Sequence, residues 1–150
     1  MPIGEICKRE VVITQREDAV LQAAKLMRQH HVGDVMVVDD RDGKRVPVGI
    51  VTDRDLVVEV IATGLDPAAI TVGDIMVSDF ATVKENAGVF ESIQYMRVKG
   101  VRRMPVVDDD NELIGIVTLD DLLALLSEEL DALVKLVAHE QQKEAGTRRV

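Results

Sequence analysis

The sequence is poor in cysteine and in aromatic residues, and it contains no tryptophan. A single cysteine, Cys7, cannot form an internal disulfide bond, which favours a reducing compartment. Aromatic residues make up 2% of the 150 residues, so the stacking platforms that bind single-stranded nucleic acid are excluded. The net charge of −9 argues against general binding to nucleic acid polymers or to anionic membranes.

Long apolar runs are also missing, and none is long enough to span a bilayer. The first ten residues lack a basic segment followed by an apolar stretch, so no signal peptide is predicted. Apolar residues make up 47% of the chain and charged residues 30%, as is typical of a globular protein. We therefore expect a cytoplasmic protein without a membrane segment.

The chain contains two copies of one unit. The stretch "GIVTDRD" at 49–55 returns as "GIVTLDD" at 115–121, and "VMVVDD" at 35–40 returns as "MPVVDD" at 104–109. Within each copy, a polar turn separates the V-V-D-D stretch from the G-I-V-T stretch, and this turn is three residues shorter in the second copy. A hairpin turn tolerates such a change of length. The sequence is therefore a tandem repeat.

The residue pattern of each copy predicts the element order β-α-β-β-α. A short strand, 11–14 or 80–83, precedes a helix with apolar positions at i, i+3, i+4 and i+7, and Asp18 and Asn86 are candidate helix caps. Two β-branched runs and a second helix follow. The predicted fold class is α+β, with two pseudo-symmetric repeats packed as one module and a long C-terminal helix. The predicted boundaries are 1–66 for the first repeat, 67–71 for a linker, 72–126 for the second repeat and 127–150 for a helical extension with a polar tail.

The repeated G-I-V-T-x-x-D stretch has the residue types of a nucleoside-phosphate site. The glycine lets another backbone or a flat ligand approach closely, and the threonine hydroxyl at the strand end can donate to an anion. The aspartate, one helical turn further on, can accept hydrogen bonds from ribose hydroxyls, and the helix start favours phosphate. The alternative is that the threonine caps the helix and the aspartate lies in its first turn. The residues concerned are Gly49 and Gly115, Thr52 and Thr118, and Asp55 and Asp121.

Taken together, the duplicated motif, the "MPVVDD" strand before it and the spacing of the copies resemble a tandem pair of cystathionine-β-synthase (CBS) domains, or Bateman module, over roughly residues 3–126. The resemblance implies two clefts between the repeats that bind AMP, ADP or ATP as a regulatory ligand. In some relatives the ligand is S-adenosylmethionine, NAD or a cyclic dinucleotide. It also implies that the threonine contacts phosphate, that the aspartate holds ribose, and that no catalytic cofactor is present.

The resemblance also implies which residues surround the adenine and the phosphate. Arg102 and Arg103 resemble the basic residues that bind phosphate in the regulatory subunits of AMP-sensing kinases. The matching positions of the first copy are Gly33 and Asp34, and Asp34 would repel phosphate unless Arg54 serves that cleft, so unequal sites are expected. The implied adenine contacts come from the first two strands of each repeat. They are Ile13, Thr14, Thr82 and Val83 on the first strands, and Val35, Met36, Met104 and Pro105 on the second strands.

The C-terminal segment predicts a helix with an apolar seam. Its spacings of 4, 3, 4, 3 and 4 are those of a heptad repeat. We interpret the segment as packing on the module and joining two chains into a homodimer; an intramolecular cap is the alternative. The seam residues are Leu119, Leu123, Leu126, Leu130, Leu133 and Val137.

No nucleophile–base pair, P-loop or paired carboxylates indicate catalysis, so no catalytic residue is predicted. His30 and His31 lack further ligands at metal spacing, and no metal site is predicted. The leading hypothesis is a non-enzymatic sensor of adenosine-containing nucleotides that regulates an unidentified partner protein. The alternative is a structural homo-oligomerisation module with vestigial clefts.

Overall fold

The computed structural model describes residues 1–148. The third helix of the chain, Asp53–Asp55, is continued by a π-helical turn, Leu56–Ile61. The elements in chain order are α1 Ile3–Ile6, β1 Ile13–Thr14, α2 Val20–His30, β2 Asp34–Arg41, β3 Lys44–Thr52, α3 Asp53–Asp55, α4 Val72–Ile75, β4 Val83–Lys84, α5 Val89–Lys99, β5 Arg103–Val107, β6 Leu113–Thr118 and α6 Leu119–Arg148.

Two three-stranded sheets, ordered β1-β2-β3 and β4-β5-β6, confirm the predicted α+β class and the repeated element order. In the first sheet β1 runs parallel to β2, with Ile13 opposite Met36, and β2 runs antiparallel to β3. In the second sheet β4 runs parallel to β5, with Val83 opposite Val106. The short first strands begin later than the predicted 11–14 and 80–83, because only their last residues pair with the next strand.

The difference in length between the repeats lies in the hairpins. In the first repeat β2 and β3 meet at Asp42 and Gly43, which both have positive φ, at 55° and 81°. An Asp-Gly pair of this kind closes a tight two-residue hairpin. In the second repeat β5 and β6 are shorter, and Asn111 takes the positive φ of 63° between them.

Both faces of β2 are buried, which explains its continuous apolar run. Val35 and Val37 lie in a cluster with Met27 of α2 and with Val72 at the start of the second repeat. Met36 faces the other way, into a cluster that includes Leu113 of the second sheet.

The predicted caps Asp18 and Asn86 are wrong, because α2 and α5 begin one or two residues later, after Ala19 and Gly88. Asp18 instead closes the turn before α2. Its Oδ2 accepts hydrogen bonds from the Thr14 hydroxyl at 2.7 Å and from the Gln15 amide at 2.9 Å. The Gln15 amide and the Thr14 hydroxyl lower the pKa of the Asp18 carboxyl, because both bonds favour the ionised form.

We expect Asp18→Ala to reduce the free energy of unfolding by about 1 kcal/mol at pH 7, since it removes the acceptor of both bonds. The folded-state pKa of Asp18 is lowered, so its contribution is present at neutral pH and is lost as the pH falls through that pKa. Urea unfolding of both proteins at several pH values measures the difference. A cost that stayed constant into acid would contradict an ionic role for Asp18.

The first helix of each repeat packs on the other repeat. At the N-terminus, the amides of Ile3 and Gly4 donate to the carbonyls of Ala87 and Glu85, at 2.7 and 2.9 Å. In return, Gly73 of α4 donates to the carbonyl of Arg16, at 3.0 Å. The two repeats are therefore interlocked, each completing the other.

The chain divides into two compact units, of which the first is Met1–Val117 and the second begins at Thr118. Helix α6 makes up the second unit as far as Arg148, so the predicted polar tail is helical up to that residue, and its last two residues lie outside the described part of the chain. Within residues 1–148 no helix has both the length and the apolar content to span a membrane.

Candidate functional site

A cleft of about 410 Å³ lies between the two repeats, within the first unit. The first repeat contributes the end of β3 and α3, and the second contributes the segments 77–81 and 101–105. The lining combines apolar and charged side chains, as small-molecule sites do. The lining residues are Ile50, Thr52, Asp53, Arg54, Val77, Asp79, Phe80, Ala81, Val101, Arg102, Arg103 and Pro105.

The G-I-V-T-x-x-D stretch forms a reciprocal helix cap where β3 enters α3. The Asp55 amide donates to Thr52 Oγ1 at 3.2 Å, and the Thr52 amide donates to Asp55 Oδ2 at 2.9 Å. Of the described residues that line the cleft, Thr52 is one and Asp55 is not. Thr52 and Asp55 therefore cap α3, as the alternative interpretation of the motif expects. This cap sets the direction in which α3 leaves the sheet.

The second copy makes the same first bond, from the Asp121 amide to Thr118 Oγ1 at 3.2 Å. Both residues belong to the second unit, at the start of α6. The duplicated threonine thus has one local role in both repeats, which is to cap the helix that follows the last strand.

An ion pair joins the two repeats beside the cleft. A guanidinium nitrogen of Arg103, at the start of β5, lies 3.0 Å from Asp34 Oδ1. The side chain of Asp34 is 19% exposed and that of Arg103 is 34% exposed. The sequence placed these two residues in different clefts at matching positions, whereas the structure brings them into contact.

A second carboxylate lies close to this pair. The Asp53 amide donates to the Gly33 carbonyl at 2.9 Å, which holds α3 against the start of β2. Burial raises the pKa of the Asp34 carboxyl; the Arg103 guanidinium opposes this rise and the Asp53 carboxylate adds to it. Asp34, Asp53 and Arg103 therefore form one electrostatic cluster at the edge of the cleft.

The space beside each of the two motif glycines is filled by atoms of the other repeat. A Cβ on Gly49 would lie 2.6 Å from the Met76 sulfur, and one on Gly115 would lie 2.8 Å from the Cys7 sulfur and closer still to the Lys8 carbonyl oxygen. Of the two alternatives, close approach of another part of the chain is the one observed. Gly49 and Gly115, predicted as ligand contacts, are thus packing positions of the interlocked repeats.

Three of the predicted adenine contacts are core residues. Val35, Met36 and Met104 have no exposed surface in this structure. Their strands are covered on both faces, and sequence alternation does not reveal which residue reaches a cleft. Pro105, by contrast, lines the cleft together with Arg102 and Arg103.

The remaining predicted contacts are spread over other places. Thr14 is buried and bonded to Asp18. Ile13 borders a separate cavity of about 630 Å³ next to α2. Thr82 and Val83 border a third cavity, of about 670 Å³, next to α5. The structure thus unites five of the predicted residues in one cleft, namely Thr52, Arg54, Arg102, Arg103 and Pro105.

Sequence reasoning missed part of the cleft wall. Val77, Asp79 and Phe80 lie between α4 and β4, just before the predicted strand at 80–83 or, for Phe80, at its first position. The signal was the placement of Phe80, one of two phenylalanines, at the start of the predicted strand. Among residues 1–148, no group of three or more histidine, cysteine or acidic side chains is arranged to hold a metal ion.

The cleft and the interlocked repeats can be compared with known proteins. The CBS domain family model matches residues 3–62 and 72–128. An uncharacterised protein of Methanopyrus kandleri is 40% identical over 81% of this chain, which spans 60% of that protein's length. Hypoxic response protein 1 of Mycobacterium tuberculosis is 33% identical over 83% of this chain and 84% of its own length.

Among solved structures, a CBS domain pair in complex with 5′-methylthioadenosine and S-adenosyl-L-methionine superposes with a TM-score of 0.70. It is 26% identical, and the match covers 84% of this chain and 99% of that one. The family model matches once in each repeat, and the neighbour has the same fold. The chain is a tandem pair of CBS domains and belongs to the CBS domain family.

Proposed function

We propose that this chain is a non-enzymatic sensor that binds an adenosine-containing nucleotide in the cleft between its repeats and relays occupancy to a partner protein. The ligand class is AMP, ADP, ATP or a related adenosine compound. The single cysteine and the absence of a spanning helix among residues 1–148 support a cytoplasmic location.

The observation that carries the proposal is the composition of the cleft. Arg54 of one repeat and Arg102 and Arg103 of the other converge on it with the Thr52 hydroxyl, although the chain as a whole is acidic. Guanidinium groups bind phosphate with paired hydrogen bonds, and Phe80 offers an aromatic surface to a base. The related CBS pair with two adenosine compounds supports the same ligand class.

A thermal-shift panel tests the proposal directly. A ligand at about 100 times its dissociation constant stabilises the folded chain by about 2.7 kcal/mol, and each kcal/mol raises Tm by about 2–4 °C at this size. The panel contains AMP, ADP, ATP, NAD, S-adenosylmethionine and cyclic dinucleotides, with GMP as a control for the base. We expect a shift with at least one adenosine compound and none with GMP; no shift with any of them contradicts sensing.

We expect Arg102→Gln to weaken AMP binding about tenfold and to leave adenosine binding unchanged, because it removes a phosphate donor and not a base contact. Isothermal titration calorimetry measures both. Arg97→Gln, on the exposed side of α5, is the matched control, since it removes the same charge outside the cleft. Equal losses in the two variants would show that only overall charge matters.

A second candidate function is a structural homo-oligomerisation module, and the exposed seam of α6 favours it. Leu123, Leu130 and Leu133 are 56%, 64% and 60% exposed, more than a helix without a partner normally leaves in water. Dimerisation is compatible with sensing, so the nucleotide panel separates the two candidates. A dimer that binds no nucleotide supports the structural module.

A further inference from the structure

The Asp34–Arg103 pair changes the charge that the cleft presents to a ligand. Three arginines line the cleft, Arg54, Arg102 and Arg103, and two of the lining residues, Asp53 and Asp79, are acidic. Asp34 adds a third carboxylate and holds Arg103 at 3.0 Å. Three positive charges are thus matched by three negative ones, although the lining alone has an excess of arginine.

Asp34 is positioned to hold Arg103 rather than to be displaced from it. Its side chain is 19% exposed and is influenced by the Asp53 carboxylate, so releasing Arg103 would leave two neighbouring acidic groups without their counter-charge in a largely buried place. Breaking such a pair is costly because the remaining charge loses its compensation. A ligand phosphate that recruited Arg103 would have to meet this cost.

We propose that Asp34 is a specificity-determining residue that makes the cleft select adenosine ligands of low negative charge, with one phosphate or none, over polyphosphates. This inference rests on the proposed function and assigns the ligand class of the same cleft. Each further phosphate adds negative charge to a cleft already in balance, and the carboxylates of Asp34, Asp53 and Asp79 repel it. AMP, adenosine and adenosine thioethers fit this charge better than ATP.

The test is calorimetric titration of the full chain with AMP and with ATP at one ionic strength. We expect the wild-type protein to bind AMP at least about tenfold more tightly than ATP, and Asp34→Asn to reduce this preference about tenfold by releasing Arg103. Asp79→Asn is the matched control, because it removes the same charge from the same cleft without freeing Arg103. It should change the preference less than about threefold.

Two further variants guard against a folding defect in Asp34→Asn. Arg103→Gln leaves the Asp34 carboxylate uncompensated and should widen the preference for AMP. The double variant Asp34→Asn, Arg103→Gln removes the pair as a unit and should restore the wild-type preference.

Each outcome has a definite meaning. Tighter ATP than AMP binding by the wild type, an unchanged preference in Asp34→Asn, or equal effects of Asp34→Asn and Asp79→Asn would overturn the role of Asp34 while leaving nucleotide sensing intact. Absence of binding by any adenosine compound to the wild type would overturn the proposed function itself, and the inference with it.

Discussion

Gly115→Ala is expected to reduce the free energy of unfolding by about 3 kcal/mol, at the upper end of the cost of overpacking a core. The new Cβ would lie 2.8 Å from the Cys7 sulfur and closer to the Lys8 carbonyl oxygen. Lys8 also exchanges backbone hydrogen bonds with Ile116, at 3.0 and 2.9 Å, so the obstacle is paired main chain that cannot move aside cheaply. Urea denaturation measures the loss.

Two other glycines supply the comparison. Gly49→Ala meets the flexible Met76 side chain, at 2.6 Å from its sulfur, and should cost about 1 kcal/mol. A Cβ on Gly146 would meet no atom within 4 Å among residues 1–148 apart from its own helix turn. Gly146 lies in α6, where alanine is the better helix former by about 1 kcal/mol, so no loss is expected from Gly146→Ala. If Gly115→Ala and Gly49→Ala cost the same, the backbone contact with Lys8 is not what makes Gly115 necessary.

Replacing two seam residues of α6 by lysine should convert a dimer to monomers. Leu126 and Leu133 are 39% and 60% exposed and occupy equivalent heptad positions, so in a paired helix they would face the partner. An ammonium group buried there without a partner costs about 3 kcal/mol or more, which is at least about a 100-fold rise in the dimer dissociation constant. Light scattering across a concentration series measures it.

The control adds the same charges away from the seam. Ala132 and Gln142 are exposed on the opposite side of the heptad pattern. Ala132→Lys, Gln142→Lys should therefore leave the molar mass of the wild type unchanged. Persistent dimers in the double leucine variant would place the interface elsewhere, and a monomeric wild type would contradict the homodimer altogether.

Local patterns in the sequence were enough to predict the repeat, the order of strands and helices within each copy and the long last helix. The Asp42-Gly43 turn and the Thr52 cap depend on neighbours within four residues, and such signals are readable without a fold. The same locality explains why the threonine and the aspartate could be assigned either to a cap or to a ligand. Both readings use the same residue types at the same spacing.

Contacts between the repeats could not be predicted in this way. Alternation along β2 says that successive side chains face opposite ways, but not that both faces are covered, so Met36 was assigned to a ligand and lies in the core. The Asp34–Arg103 pair joins residues at matching positions of different repeats, which an alignment of the two copies sets side by side without indicating contact. Both contacts join residues that are far apart in the sequence, where local patterns carry no information.

The interlocked first helices impose an order on biosynthesis. Helix α1 is synthesised well before the second repeat. Its amides, and the amide of Lys8 just after it, donate hydrogen bonds to the carbonyls of Glu85, Ala87 and Ile116, which are made much later. Ile3, fully buried in the finished protein, must wait for them. Because closing such long loops is entropically costly, its docking is a late and slow step of folding. A nascent first repeat therefore lacks the residues that bury α1 until the second repeat has been made.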